Sequence, residues 1–240
     1  MQASNAQGLE RSRDGGLARL ALAKPPRNLL DPDVMAALRE AILEADADGD
    51  VQAIVLTGAG DMFCGGLDIE RIQAGEDPIA FASALVELLR VLPTLGKPVI
   101  AAVNGDALAS GYALVCAADI AIAADHVRIG TVEATVGIWP MIAQVPPLQR
   151  LHPRHALQNL LTGVPFDAHR AREIGIVNEV VSAGDLRDEV RRWATLAVGA
   201  GKALPAGRRS FYRFLDLSYD EALTASLEEF RSMFTSTGRE

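Results

Sequence analysis

Three short apolar runs punctuate the middle of the chain: Val51–Thr57, Pro98–Val103 and Ile120–Ala123. They are rich in aliphatic and β-branched residues and show little alternation of apolar with polar positions. Runs of this kind predict strands buried on both faces. Around them the period changes to that of a helix. Val34, Ala37, Leu38, Ala41, Ile42 and Ala45 recur on one helical face behind Asp31-Pro32-Asp33. Asp31 is placed to cap that helix, Pro32 suits its first position, and Asp33 complements the dipole. A further helix is predicted over 78–92. Strands alternating with helices predict an α/β fold.

Past Gly163 the pattern becomes mainly helical. A short helix is expected over 168–173 and one more strand over 177–181. Helices follow over 186–198, 207–215 and 219–234. In the last, Tyr219, Leu223, Leu227, Phe230 and Phe234 form one apolar stripe, expected to be a core or subunit-contact face. The organisation predicted is a flexible lead-in over 1–16, a core over 17–184 and a C-terminal helical region over 185–240.

Composition narrows the class. Among 240 residues, 31 are Asp or Glu and 23 Lys or Arg, giving net −8. That balance excludes a broad polyanion binder, so no nucleic-acid partner is expected. The longest uncharged apolar run, 107–118, is too short to cross a bilayer. The polar N-terminus carries no apolar signal segment. Cys64 and Cys116 sit in apolar stretches and read as reduced thiols of a cytoplasmic protein.

Several familiar patterns fail. Gly58-Ala59-Gly60 follows a strand, but the third glycine of a dinucleotide fingerprint falls on Phe63. Gly96-Lys97 is followed by Pro98, which removes a phosphate loop. His152 and His155 lack further ligands, so no metal is expected and both read as surface residues at a helix start.

Three segments carry chemistry. In the first, Cys64-Gly65-Gly66-Leu67-Asp68, two glycines permit close approach of backbone to a ligand, and the Leu67 N–H is a free-donor candidate. The second, Asn104 to Tyr112, leaves a buried strand through Ala107, Ala109, Ser110 and Gly111 and enters a helix, whose first N–H groups lack partners. Two such turns from neighbouring strands would supply two converging donors, an oxyanion hole. The third is Gly130 to Pro140, where Glu133 stands alone among Val132, Ala134, Val136, Ile138 and Trp139. It is a buried paired carboxylate, a solvent-facing one, or a general base in an apolar setting.

These segments, in this order, resemble the enoyl-CoA hydratase/isomerase (crotonase) superfamily. The resemblance is carried by Arg27-Asn28, Phe63 to Asp68, Lys97 to Gly105, Cys116 to Ile120, Leu161 to Gly163 and Gly175 to Asn178. It implies a crotonase-like spiral of repeated β-β-α units with a C-terminal helical trimerisation region, as a homotrimer or homohexamer. It implies an acyl-CoA thioester as ligand, with coenzyme A part of the substrate and no separate cofactor. The thioester carbonyl would lie between the N–H groups of Leu67 and Ser110, with Glu133 as the catalytic base. Arg27, Gly65, Gly66, Asp68, Gly111 and Trp139 would line the CoA and substrate site. Trp139, Met141 and Ile142 are candidates for an acyl tunnel, and Arg208, Arg209 and Arg213 for a second phosphate-facing group.

The sequence also departs from the family. Hydratases carry two glutamates, and the first falls here on Ala113. Hydration must activate an oxygen and protonate a carbon, which two carboxylates serve, whereas moving a double bond needs one proton shuttle. An isomerase with Glu133 as single base is therefore the leading expectation. The alternatives are a hydratase using Tyr112 or Asp68, a CoA-thioester decarboxylase, a non-catalytic acyl-CoA binder, and a hydrolase built on Ser110 with His126. Asp61-Met62 replaces the family's basic residue before the Phe, and the chain ends before the family's last helical piece.

Overall fold

The computed structural model describes residues 4–235. The chain opens with strands β1 (Ser4–Ala6), β2 (Leu9–Asp14) and β3 (Leu17–Leu22), then helix α1 (Pro32–Ala47). Next come β4 (Ala53–Gly58), β5 (Met62–Cys64), α2 (Ile69–Gln73) and α3 (Pro78–Val91). The unit repeats as β6 (Val99–Val103), β7 (Asp106–Leu108), α4 (Ser110–Ala117), β8 (Ile120–Ala124) and β9 (Arg128–Gly130). Then follow α5 (Val145–Arg150), α6 (Pro153–Thr162), β10 (Phe166–Asp167), α7 (Ala168–Glu173), β11 (Glu179–Val181) and α8 (Leu186–Ala197). Helices α9 (Leu204–Leu215) and α10 (Tyr219–Thr235) complete the described chain.

Each β-β-α turn sends one strand to each of two sheets. The larger has seven strands in the order β1-β2-β3-β4-β6-β8-β11, and the smaller has four, β10-β9-β7-β5. From β3 to β11 the large sheet is parallel. Its central strands carry apolar residues on both faces because helices cover both. Ile54, Leu56, Val99, Ala101 and Val103 face the core shared with α1 and α3. Ala53, Val55, Ile100 and Ala102 face Leu186, Val190 and Ala194 of α8. Fully burying a leucine or valine contributes roughly 1.5–3 kcal/mol, so these faces hold the layers together.

Helix α1 starts as its sequence predicts, with the Asp31 carboxylate accepting from the Val34 N–H at 2.9 Å. Part of the segment read as a flexible lead-in, Ser4–Ala6 and Leu9–Asp14, forms strands. Leu9–Asp14 is a strand, paired antiparallel with β3 along its whole length. Leu9 alone is buried in it, which leaves little apolar signal in a mostly polar segment. Its far end is tied by Asp14, which accepts from Arg191 at 2.7 Å and Arg187 at 3.0 Å.

The helical tail docks through a buried polar knot. The Arg208 Nε donates to Asp119 at 2.9 Å, and its two terminal nitrogens donate to Leu95 O at 2.7 Å and Leu92 O at 2.8 Å. The Tyr212 hydroxyl donates to the other Asp119 oxygen at 2.5 Å. Burial, reinforced by Asp119, raises the Tyr212 pKa. Arg208 is thus a docking residue and not a phosphate ligand. Arg213 pairs with Glu229 at 2.6 Å, and Arg209 donates to Thr94 O at 3.1 Å. The expected second basic group is therefore spent on internal contacts. Arg208→Leu would remove the cationic partner of Asp119 and leave the Leu92 and Leu95 carbonyls without this donor, and should lower stability by about 3–5 kcal/mol, read as a shift in the urea midpoint.

The α10 stripe is not part of the core. Leu223, Leu227, Phe230 and Phe234 are all exposed on the single chain.

Candidate active site

The small sheet places the three candidate segments side by side. Strands β5, β7 and β9 are adjacent and parallel, so their C-terminal ends emerge on one edge. In sheets of this kind ligands bind outside the carboxyl ends of the strands. Here β5 leads into Gly65–Asp68, β7 into Ala109–Gly111, and β9 into Thr131–Glu133.

The first two turns touch. Gly66 has φ +100°, a conformation that favours glycine. A Cβ on Gly66 would lie 2.7 Å from the Ala109 Cβ and 3.6 Å from the Ser110 nitrogen. A Cβ on Gly111 would fall 2.5 Å from the Cys64 carbonyl oxygen. Only residues without side chains let the two backbones approach this closely.

Both candidate donors are free. The Leu30 N–H donates to Gly66 O at 2.8 Å, and the Asp68 N–H donates to Leu30 O at 2.9 Å. That pairing leaves the Leu67 N–H directed away from Leu30, with no acceptor among the described residues. Ser110 is the first residue of α4, where no intrahelical acceptor exists. Its N–H also lacks an acceptor among the described residues. Ala109, just before it, has φ +53°, a strained value for alanine that costs about 1–3 kcal/mol. The strain is held by the Ala109 N–H donating to Gly130 O at 3.0 Å and Ala109 O accepting from Ala113 at 3.2 Å.

The surrounding loop is rigidly tied. Asn28 is buried, and its amide donates to Ala59 O at 2.9 Å and Met62 O at 2.6 Å. Asp31 accepts from Lys24 and, at 2.6 Å, from Arg71. Burial pushes the Asp31 pKa up, but Lys24, the Val34 N–H and Arg71 together hold it below its ordinary value. Arg27 lies beside the first turn: its carbonyl accepts from the Gly65 N–H at 2.8 Å. Its side chain is exposed and has no partner among the described residues. Asp68 caps α2, accepting from the Arg71 N–H at 3.3 Å, and lies 3.9 Å from Lys24.

Glu133 opens a single helical turn after β9, and its Oε2 accepts from the Val132 N–H at 2.9 Å. The side chain is half-buried. The apolar enclosure expected around it is not formed within one chain: Val136, Ile138 and Trp139 are 70%, 51% and 40% exposed. Gly137, in the left-handed conformation, ends the helical turn. Trp139 donates through Nε1 to Gln144 at 2.9 Å.

Ala113, Tyr112 and both thiols are buried. Burial raises the Tyr112 pKa, and the phenol lies against the Cys116 thiol without a partner of hydrogen-bond geometry. Desolvation pushes both thiols up to about 12. None of the three is an acid or base near neutral pH. His126 is exposed and sits 3.6 Å from Asp125, with no bond to Ser110, so the hydrolase alternative lacks a base. His152 caps α6 through Nδ1, which accepts from Arg154 at 3.3 Å. Among the described residues no cluster of His, Cys, Asp or Glu could hold a metal, and no helix is long and apolar enough to cross a membrane.

An apolar cavity of about 500 Å³ lies at the far end of α4, lined by Cys116, Ala117, Met141, Ile142, Val145 and Tyr212 among others. Of the three tunnel candidates, Met141 and Ile142 line it and Trp139 does not. A larger groove of about 780 Å³ runs between α8 and β2–β3. Its lining includes Arg187 and Arg191, which share the Asp14 carboxylate.

Fold and site together define an α/β protein whose small sheet brings two unpartnered backbone donors and the Glu133 turn to one edge. The family described as enoyl-CoA hydratase/isomerase matches residues 12–240. The chain is 33% identical over 219 residues to carnitinyl-CoA dehydratase of Proteus mirabilis, covering 90% of this chain and 84% of that one. The Salmonella arizonae carnitinyl-CoA dehydratase is 34% identical over the same shares. Among solved structures, an enoyl-CoA hydratase of Mycobacterium smegmatis superposes with TM-score 0.87 at 28% identity, covering 94% of this chain and 90% of that one. Human enoyl coenzyme A hydratase domain-containing protein 3 gives TM-score 0.88 at 26% identity, covering 94% and 91%. The chain belongs to the enoyl-CoA hydratase/isomerase family, with the crotonase fold.

Proposed function

We propose that the protein stabilises the enolate of an acyl-CoA thioester and moves a proton with Glu133 as its single acid–base group. The N–H groups of Leu67 and Ser110 are the donors to the thioester oxygen. An enolate concentrates charge on that oxygen, and preorganised donors in a site closed to bulk water lower the barrier. Arg27 is the free cation beside the first turn and suits a CoA phosphate.

The observation that carries the proposal is that two N–H groups without acceptors among the described residues and the Glu133 carboxylate sit on turns leaving one edge of the small sheet. Ala113 occupies the place of the family's other glutamate and is fully buried. Its possible substitutes are otherwise engaged: Asp68 caps a helix and Tyr112 is a buried neutral phenol. One carboxylate is sufficient to take a proton from one carbon and return it two carbons away. Double-bond migration between the 3,4 and 2,3 positions is therefore the leading reaction.

Loss or addition of water is the second reading, favoured by the relatives named dehydratases at 33–34% identity. Turnover of 3-enoyl-CoA and 2-enoyl-CoA in deuterated water, followed by mass spectrometry, separates the two. Deuterium incorporation with bond migration and no gain of water is the expected result. Gain of water by either enoyl thioester selects the second reading. Thioester binding with neither change contradicts an enzymatic role.

A further inference from the structure

We infer that Asn159, on α6, is a positioning residue that sets the place of the Glu133 turn relative to the Ser110 donor. The inference rests on the role proposed above for Glu133.

The segment that joins β9 to Glu133 has no strand partner of its own. Strand β10 runs antiparallel to β9, pairing Phe166 with Ile129 and Asp167 with Arg128. The next residue toward Glu133 would face Pro165, which has no N–H to give, and the ladder ends there. Asn159 takes over at that point. It is buried at 1% exposure, and Thr131 at 0%. Its Oδ1 accepts from the Thr131 N–H at 2.7 Å and the Thr131 hydroxyl at 3.0 Å. Its Nδ2 donates to Thr131 O at 3.1 Å and Val164 O at 2.9 Å. In a hydrogen-bonded antiparallel pair, one residue serves both the N–H and the C=O of the residue opposite. The Asn159 carboxamide does this for Thr131 and bridges to Val164, so it replaces a missing strand residue.

The clamp sits between the two halves of the site. Gly130, one residue before Thr131, accepts from Ala109, one residue before Ser110. A Cβ on Gly130 would lie 2.9 Å from the Asn159 Nδ2 and 2.9 Å from the Pro165 Cα. Two residues after Thr131, the Glu133 carboxylate folds back onto the Val132 N–H at 2.9 Å. The donor turn and the base-bearing turn are thus referenced to each other through Gly130–Thr131. Only a carboxamide fits, because one end must accept and the other donate within a dry pocket. Leucine matches the shape and supplies neither function.

Asn159→Leu tests this in the full-length chain. By hydrogen–deuterium exchange, the amides of residues 131–136 should exchange at least tenfold faster, while those of α4 keep their protection. kcat for thioester proton transfer should fall roughly 10- to 100-fold, the penalty of a displacement near 1 Å, with KM changed less than threefold. In a Glu133→Gln background the same substitution should lower residual turnover no further. Asn159→Asp keeps the acceptor and loses the donors, and should show an intermediate rise in exchange; it carries the test if the leucine variant does not fold. Unchanged exchange over 131–136 in the folded variants overturns the inference. So does a kcat loss that persists undiminished without the Glu133 carboxylate. If the wild-type protein turns over no thioester, the reaction proposed above fails, while amide exchange still decides the role of Asn159.

Discussion

Glu133→Gln should lower kcat by about 10²–10⁴-fold, the usual contribution of one positioned acid–base group, with acyl-CoA binding retained. Glutamine keeps the length of the side chain and can accept from the Val132 N–H as the carboxylate does at 2.9 Å. It cannot take a proton. The loss should appear in deuterium exchange at the α carbon as well as in product formation, because both need the same base. Steady-state kinetics beside equilibrium binding of a saturated acyl-CoA checks it. Undiminished kcat would remove Glu133 from the chemistry.

Gly66→Ala should be comparably severe by a different route. At φ +100° alanine is strained, and its Cβ would meet the Ala109 Cβ at 2.7 Å. Neither neighbour can yield freely, since Ala109 is itself held at φ +53° by its bonds to Gly130 and Ala113. The new methyl group must therefore part the turns that carry the Leu67 and Ser110 N–H groups. Loss of one such donor costs about 10²–10³-fold in kcat. The fold should survive with a stability loss of roughly 1–3 kcal/mol, measured by denaturant unfolding. The two variants differ in a useful way. Glu133→Gln keeps the proposed donors and removes the proposed base, and Gly66→Ala keeps the proposed base and displaces the proposed donors.

The features legible in the sequence were those with a local physical cause. The inner strands show as continuous apolar runs because helices cover both faces. Helix α1 is marked by its cap and by a buried face that repeats at helical spacing. Leu67, Ser110 and Glu133 are visible as turns after strands, and the structure brings those turns to one sheet edge. The small sheet that does so was not legible. Its strands are two or three residues long, too short for any period, and they are held by neighbours distant in sequence. Strand β2 was missed because Leu9 alone is buried in it. Arg208 resembles a surface cation until Asp119 and two carbonyls are seen around it, 89 to 116 residues away. Asn159 gave no signal, since a polar residue in a short amphipathic helix reads as solvent-facing. A role made of bonds across 28 residues is invisible to local pattern. The apolar setting expected for Glu133 failed because sequence neighbours need not be spatial ones: Val136, Ile138 and Trp139 turn outward.

The central claim is that the Leu67 and Ser110 N–H groups polarise a bound thioester carbonyl. Isotope-edited infrared spectroscopy of an acyl-CoA labelled with ¹³C at that carbonyl reads this directly. The C=O band should move to lower frequency on binding to the wild-type protein and to Glu133→Gln, and the shift should be lost in Gly66→Ala. A saturated complex whose carbonyl band stays at its solution frequency would contradict the claim.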